Sequence, residues 1–427
     1  MADLAFSYGS MPGALIASDQ RYTVINDRVL VTPVHSSSPD IAAISSDGVS
    51  WTTSSLPISK SWRVPVYASG RYVLLSTDLA VALVSLNGLS WSQHTVSTAG
   101  SGSGIGVVDN RFVAIRYDSN LFYHSTDGES WTTATLPSSA RWTAPTLVNN
   151  RLFATGSQPV NLYTTNKVIF STDGETWTAG TFPATSYWNI PVYGAGVYVS
   201  YVTTGAQRNT VATSSDGITW TLRTLPYTAY WGTVFWTGDF FYIKGSTDSG
   251  TKYAKSTDGV TWTGGDISVI GLFDGASYDL RMANSKLFLR GNDSSLGAFV
   301  ILSSDDGVTW VPAVISDINE YVDILPPTWD GQHYVYFGRD PIAERPIAIY
   351  SPDAENWSIT TLSGSMDSAE IAYGFFNSAE SLYGVTPTGR TGTILRVNEG
   401  ANAYLYWAIL EPALGFWSNL VGQQELP

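Results

Sequence analysis

The chain has no cysteine, so no disulfide framework staples it and no thiol is present to act as nucleophile or metal ligand. Charge is scarce: charged residues are 14% of the sequence, only six are lysines, and the excess of acids leaves a net charge of −14. That sign argues against nucleic acid or an anionic membrane as a partner. The four histidines, His35, His94, His124 and His333, stand far apart with no ligand spacing, so no zinc site and no other cofactor is expected. No apolar run reaches the length of a membrane-spanning helix, and no membrane insertion is expected. The start, Met1-Ala2-Asp3-Leu4, lacks the basic and apolar segments of a secretory signal. The expectation is a protein that stays inside its cell or leaves by a route needing no signal.

What is present is repetition. Ser171-Thr172-Asp173-Gly174-Glu175-Thr176-Trp177 returns, with variation, in phrases ending at Trp51, Trp91, Trp131, Trp220, Trp262, Trp310 and Trp357. The interval from one Trp to the next runs from 40 to 48 residues, the signature of one supersecondary unit in an array. At 427 residues the chain is long for a single core, and a repeated small core resolves that.

Each copy follows an apolar run, such as Val81 to Val84 or Val168 to Phe170, and leads into β-branched or hydroxyl residues such as Thr132 and Thr178. Strand, Asp-Gly, strand is a hairpin signal. Gly supplies positive φ, and the Asp carboxylate accepts from turn amides left unpaired. Asp47, Asp127, Asp173, Asp216, Asp258, Asp305 and Asp353 are therefore read as turn formers, with Asn87 in the second copy. The copy from Ser303 to Trp310 is read as one residue longer than the rest. An apolar residue also stands five past every Trp, from Leu56 to Leu362, which predicts burial of both faces or a bulge.

A first hairpin precedes each phrase, with turns at Asn26-Asp27, Ser69-Gly70, Asn110, Asn149-Asn150 and Gly238-Asp239. Four strands per unit predict an all-β propeller of four-stranded antiparallel blades. Nine units are counted, the last without its phrase, and eight blades plus an appended sheet is the alternative. In the ninth, Ile371–Phe376, Leu382–Thr386 and Thr393–Val397 are read as strands, with Ala403–Leu410 as the fourth. Residues 1–20 form an N-terminal segment in which Ala14–Ala17 is a candidate closing strand. Residues 21–410 form the propeller and 411–427 a tail.

Ser-x-Asp-(x)-Gly-x-Thr-Trp resembles the Asp box, or BNR repeat, of sialidase-type propellers and related glycosidases. The resemblance extends over most of the chain as a repeated unit. It implies a propeller, and it implies that the boxes are structural hairpins away from any active centre.

Eleven residues after each phrase's Trp stands a second aromatic in six units, namely Trp62, Trp142, Trp188, Trp231, Phe273 and Tyr321. Two readings stand, a platform for sugar rings or a partner's surface, and wedge packing between adjacent units. A periodic aromatic belongs more often to a core. Trp62-Arg63-Val64-Pro65 resembles the Phe/Tyr-Arg-Ile-Pro motif of sialidases, which implies that Arg63 would grip a carboxylate. Sister units hold Thr143, Asn189 and Gly232 there. Arg28, Arg71, Arg111 and Arg151, just after the first turns, are read as solvated rim residues. Glu320, Asp323, Asp340, Glu344 and Glu370 break the periodicity without a spacing that singles out a catalytic pair.

The lack of cysteine, export signal and non-periodic acid cluster, with few lysines and abundant Ser, Thr and Gly, resembles Asp-box propellers carried on phage virions. That resemblance implies a non-enzymatic structural or adhesion protein of tail or capsid. Its partners would be other virion proteins or a host-surface glycan, within a larger assembly. The alternative is a secreted, hence extracellular, glycoside hydrolase or sialidase. In the tail, Phe416 and Trp417 are candidate anchors for a neighbouring subunit, and a cap over the last blade is the other reading.

Overall fold

The structure is a computed structural model that describes residues 5–10, 20–26, 28–34, 36, 40–46, 50–98, 100–157, 165–202, 209–247, 250–267, 280–293, 298–319, 323–324, 327–329, 332–340, 345–361, 383–385, 391–399 and 402–409. Every regular element among them is a β-strand, and all ladder pairings between strands are antiparallel. Asp47, Phe273, Tyr321, Ala14–Ala17, Ile371–Phe376 and the tail with Phe416 and Trp417 lie outside the described residues.

The local rule is visible in Val66–Ala68, Arg71–Leu75, Val81–Ser85 and Ser92–Thr95, which pair in chain order. The first turn has two residues, Ser69 and Gly70, both at positive φ, so Ala68 faces Arg71. Asp109-Asn110, Asn149-Asn150, Ala195-Gly196 and Asn284-Ser285 turn in the same way. Positive φ at both positions is the type I′ geometry whose twist matches the strands it joins. The two middle strands are buried on both faces and the fourth is largely exposed. Leu56, Val96, Leu136, Phe182, Leu225 and Ile315, five residues past their Trp, are all buried as expected.

The chain forms two compact units. Leu56–Ser268 holds five such sheets, beginning near Val66, Gly102, Thr146, Val192 and Tyr230. Two of them are joined where Arg141 and Trp142 pair with Ser157 and Gly156. The other unit contains Met1–Ser55 with Val269–Asn419. Its sheets span Gln20–Ser55, Arg281–Asn319 and Asp323–Thr361, and a last sheet is assembled from both ends of the sequence. In that sheet Tyr383–Val385, Thr391–Glu399 and Asn402–Ile409 are followed by Ala5–Ser10, with Tyr8 opposite Tyr406. Among the described strands of this sheet, the stretch expected as its fourth lies between Thr391–Glu399 and the N-terminal strand Ala5–Ser10.

Within Leu56–Ser268 consecutive sheets share their cores. Val113, Ile115 and Phe122 of one sheet pack with Leu152, Ile169 and Trp177 of the next. Phe153, Phe170 and Phe182 pack with Tyr198, Ala212 and Trp220 in the same manner. In the other unit Phe288, Phe299 and Ile301 meet Tyr336, Ile347 and Trp357. Each sheet thus has its own hairpins but borrows half its core, the nearest-neighbour arrangement expected of a repeat.

Candidate functional site

The repeated turn explains most of the chain's ionisable periodicity. In the copy from Ser171, the Ser171 hydroxyl accepts from the Gly174 amide at 2.8 Å. One Asp173 oxygen accepts from the amides of Glu175 and Thr176 at 2.8 and 2.7 Å, and Gly174 holds φ at +71°. Burial pushes the Asp173 carboxyl upward, but the Thr176 and Glu175 amides and the Ser171 hydroxyl outweigh it and hold it at about 2. Asp127, Asp216, Asp258 and Asp353 repeat the arrangement and are all held below the usual carboxylate range. Asn87 accepts from Leu89 and Ser90 in the same way.

The seventh copy corrects the expectation for Asp305. The turn carboxylate is Asp306, which accepts from the amides of Val308 and Thr309 at 2.7 Å, while Ser304 accepts from Gly307. The copy therefore has seven residues, Ser304 to Trp310, like the others. Asp305 points outward and pairs with Lys286 at 2.6 Å.

The Trp that ends each phrase is a joint as well as a cover. The indole N–H of Trp131, Trp220, Trp262 and Trp357 donates to the carbonyl three residues back, closing the Trp on its own turn. Trp177 instead meets the Phe122 ring of the preceding sheet edge-on, with centroids 5.9 Å apart.

Three of the four arginines expected on a solvated rim bind the next sheet's turn, while Arg28 is exposed as expected. Arg71 pairs with Glu129. Arg111 donates from Nε to the Asp173 carbonyl at 2.8 Å and pairs with Glu175 at 3.1 Å. Arg151 donates to the Asp216 carbonyl at 2.6 Å and lies over the Phe170 and Tyr198 rings. Buried His124 sits 3.2 Å from Arg111 through Nδ1. Burial and then the Arg111 charge lower its pKa, so the ring stays neutral and accepts.

The proposed aromatic platform is overturned. Trp62, Trp142, Trp188 and Trp231 are 1–6% exposed and lie inside the sheets. Each pairs through its backbone with a residue fourteen further on, Ser76, Gly156, Val202 and Gly245 respectively. At Gly156 an added Cβ would meet Ala140 at 2.9 Å and Trp142 at 3.1 Å, so the missing side chain is what admits the indole. Pro65, Pro145 and Pro191 interrupt the ladder between each Trp and the strand that follows, because proline has no N–H to give. Arg63 does not point to an open carboxylate site either. Its guanidinium donates to the Gly102 carbonyl of the next sheet.

These residues are thus brought together as architecture. No group of three or more His, Asp or Glu among the described residues is placed to hold a metal ion. Asp323 and Asp340 pair through the backbone with Arg339 and Arg345, while Glu320, Glu344 and Glu370 lie outside the described residues.

A concave feature among the described residues is a groove of about 530 Å³ between the fourth strands of two consecutive sheets, lined by Pro312, Val314, Ile315, Glu355, Trp357 and Ile359 among others. Val314 is 48% exposed. Sequence reasoning passed over these residues because valine alternating along a strand reads as ordinary half-buried sheet. The available signal was Val311 and Val314, apolar residues at positions that sister copies give to Thr, Ser or Asp.

Comparison with known proteins bears on the fold. A family described as DUF6242 beta propeller domain matches residues 7–146, about a third of the chain. No curated protein matches. A solved structure described as the eukaryotic initiation factor is 10% identical, with TM-score 0.51, over 92% of this chain and 95% of that one. Virginiamycin B lyase from Staphylococcus aureus is 14% identical, with TM-score 0.43, over 67% and 96%. BamB from Moraxella catarrhalis is 11% identical, with TM-score 0.42, over 81% and 96%. Together with the strand pairing, the family match makes this chain an all-β protein with the propeller fold, built from four-stranded antiparallel sheets.

Proposed function

We propose that the chain is a non-enzymatic structural or adhesion propeller, displayed on the tail or capsid of a virion, where it contacts other virion proteins or a host-surface glycan. The observation that carries the non-enzymatic part is the use to which the repeated chemistry is put. The periodic carboxylates bind their own turns, Arg71, Arg111 and Arg151 bind the next sheet, and Trp62, Trp142, Trp188 and Trp231 are enclosed. Groups held in this way are committed to holding the array together, and the surface left for function is one of contact. The virion setting rests on the Asp-box resemblance together with the acidic, cysteine-free composition. It is a fold-level analogy, since function lies in sites grafted on folds.

The test has two arms. Antibody against the chain should label purified particles from the source, in stoichiometric amount by quantitative mass spectrometry. The purified chain should also leave a sialoside and a β-glucan intact. Turnover of either sugar, or absence from particles, overturns the reading.

A further inference from the structure

The seam between the sheets Arg281–Asn319 and Asp323–Thr361 holds a cation and an acid at the positions that form an ion pair in two earlier seams, but the pair is not made, and a charge is left at the mouth of a groove. In two earlier seams the residue after the first turn is a cation and the residue after the turn Gly of the next sheet is its acid, Arg71 with Glu129 and Arg111 with Glu175. By position the matching pair here is Lys286 with Glu355. Lys286 is instead bound to Asp305 at 2.6 Å. Glu355 is exposed, and no ion pair to it is formed among the described residues. At another seam the next turn closes on the fourth strand. At Gly180 an added Cβ would lie 2.6 Å from the Gly217 carbonyl oxygen, and there the next turn closes on the strand, with Thr181 donating to Ile218 at 3.3 Å. In the same register Ala313 carries a methyl, and the groove stands open with Val314, Trp357 and Ile359 along it.

We infer that this groove receives an extended segment of a partner polypeptide that carries an arginine or lysine beside alternating apolar residues. The cation takes the place at Glu355 that Lys286 has left. The apolar side chains cover Val314 and Ile359. Both walls are the edge strands of their sheets, and an edge strand offers a row of main-chain donors and acceptors to an incoming strand. Pro312 removes an N–H from one wall, so the segment adds along Ser358–Thr361. This inference does not depend on the virion setting, because it concerns the chemistry of the occupant and not the location of the protein.

A display library of random dodecapeptides, panned on the intact chain, tests it. Enriched sequences should contain Arg or Lys flanked by alternating apolar residues. The best of them, made as a labelled synthetic peptide, should lose about tenfold or more in affinity for Glu355→Lys and for Val314→Glu. Both residues are exposed, so both variants should melt with the wild type. Replacing the peptide's cation by Glu should restore binding to Glu355→Lys alone. The inference is overturned if no peptide is enriched, if the enriched peptides lack the cation, or if both variants bind them as well as the wild type does.

Discussion

The guanidinium of Arg111 reaches out of its own sheet and donates to the main-chain carbonyl of Asp173, the residue that organises the turn of the next sheet, at 2.8 Å. A side chain of one repeat thus recognises the backbone of the following repeat at the point where that backbone is most sharply folded. The same cation pairs with Glu175, so the contact combines a fixed carbonyl with an adjustable charge. In the preceding seam Arg71 and Glu129 form the charged half of this arrangement.

Reversing one charge there should therefore harm the joint, and reversing both should mend it. Arg71→Glu is expected to cost about 1 kcal/mol, and the double variant with Glu129→Arg to recover most of it, since partly exposed pairs contribute only about 0.2–1 kcal/mol. Urea titration of the two single variants and the double variant gives the coupling. Additive losses would remove the pair from the account of the seam.

Acid should loosen the turns within a defined window. The Asp173 carboxyl titrates at about 2 when folded, against 3.8 as its ordinary value. The folded value is the lower one, so the stabilising contribution is complete above about pH 3.8 and is lost as the pH falls toward 2. Asp127, Asp216, Asp258 and Asp306 are shifted in the same direction and add to the slope. Asp173→Asn should keep the turn, as Asn87 does in its own copy, while flattening the pH dependence of stability between 4 and about 2. Melts at stepped pH compare the two chains, and equal slopes would exclude Asp173 as a source.

Gly156 is predicted to be intolerant of any side chain. A β-carbon there meets Ala140 and the Trp142 ring closer than van der Waals contact allows. Gly156→Val should cost about 1–3 kcal/mol through overpacking, and Trp142→Ala about 3–5 kcal/mol through the cavity it leaves. Hydrogen exchange should show amides in the sheets around Val113 and Leu152 loosening before those near Phe241. Uniform loosening would contradict the nearest-neighbour packing.

Adjacent aspartates in the seventh copy should behave very differently. Asp306→Ala removes the acceptor for two turn amides and is expected to cost about 1–2 kcal/mol. Asp305→Ala removes only an exposed ion pair and should cost under about 0.5 kcal/mol. Chemical denaturation of the two variants tells them apart, and equal losses would reverse the assignment.

In the eighth copy Ala354 occupies the glycine position at φ +66°. A side chain in the left-handed region carries strain of roughly 1–2 kcal/mol, part of which the greater freedom of an unfolded glycine would offset. Ala354→Gly is accordingly expected to stabilise by about 0.5–1 kcal/mol, read as a raised melting temperature. A lowered one would show that the methyl's packing outweighs the strain.

The strand-turn-strand phrase was legible in the sequence because it is governed locally, by a carboxylate and the amides two and three residues ahead of it. Even the misplaced seventh carboxylate had left its signal. Gly307 stands three residues before Trp310, as Gly174 does before Trp177, and the Asp preceding each Gly is the turn former. The destinations of Trp142 and Arg111 were not legible, because both lie across a tertiary contact that a single repeat does not contain. A glycine fourteen residues after Trp142 and again after Trp231 was the available hint that the indoles lie flat inside. The groove at Val314 was hidden for a different reason. Its exposed acid follows from Asp305 taking Lys286, and a reading built on what recurs passes over an ion pair that is not made.

The pairing of Ala5–Ser10 with Asn402–Ile409 sets a timetable for the chain. On a ribosome each turn emerges after the sheet that receives it, so the seams within Leu56–Ser268 can be sealed one after another in the direction of synthesis. The strand Ala5–Ser10 is the exception. It must wait with its apolar side chains, Phe6 and Tyr8 among them, until nearly four hundred further residues have been translated. Throughout that interval it is an unpaired adhesive segment, able to pair with the exposed edge of any copy close by. Crowded synthesis on one message therefore favours exchange of this strand between chains, and dilution favours its return to its own.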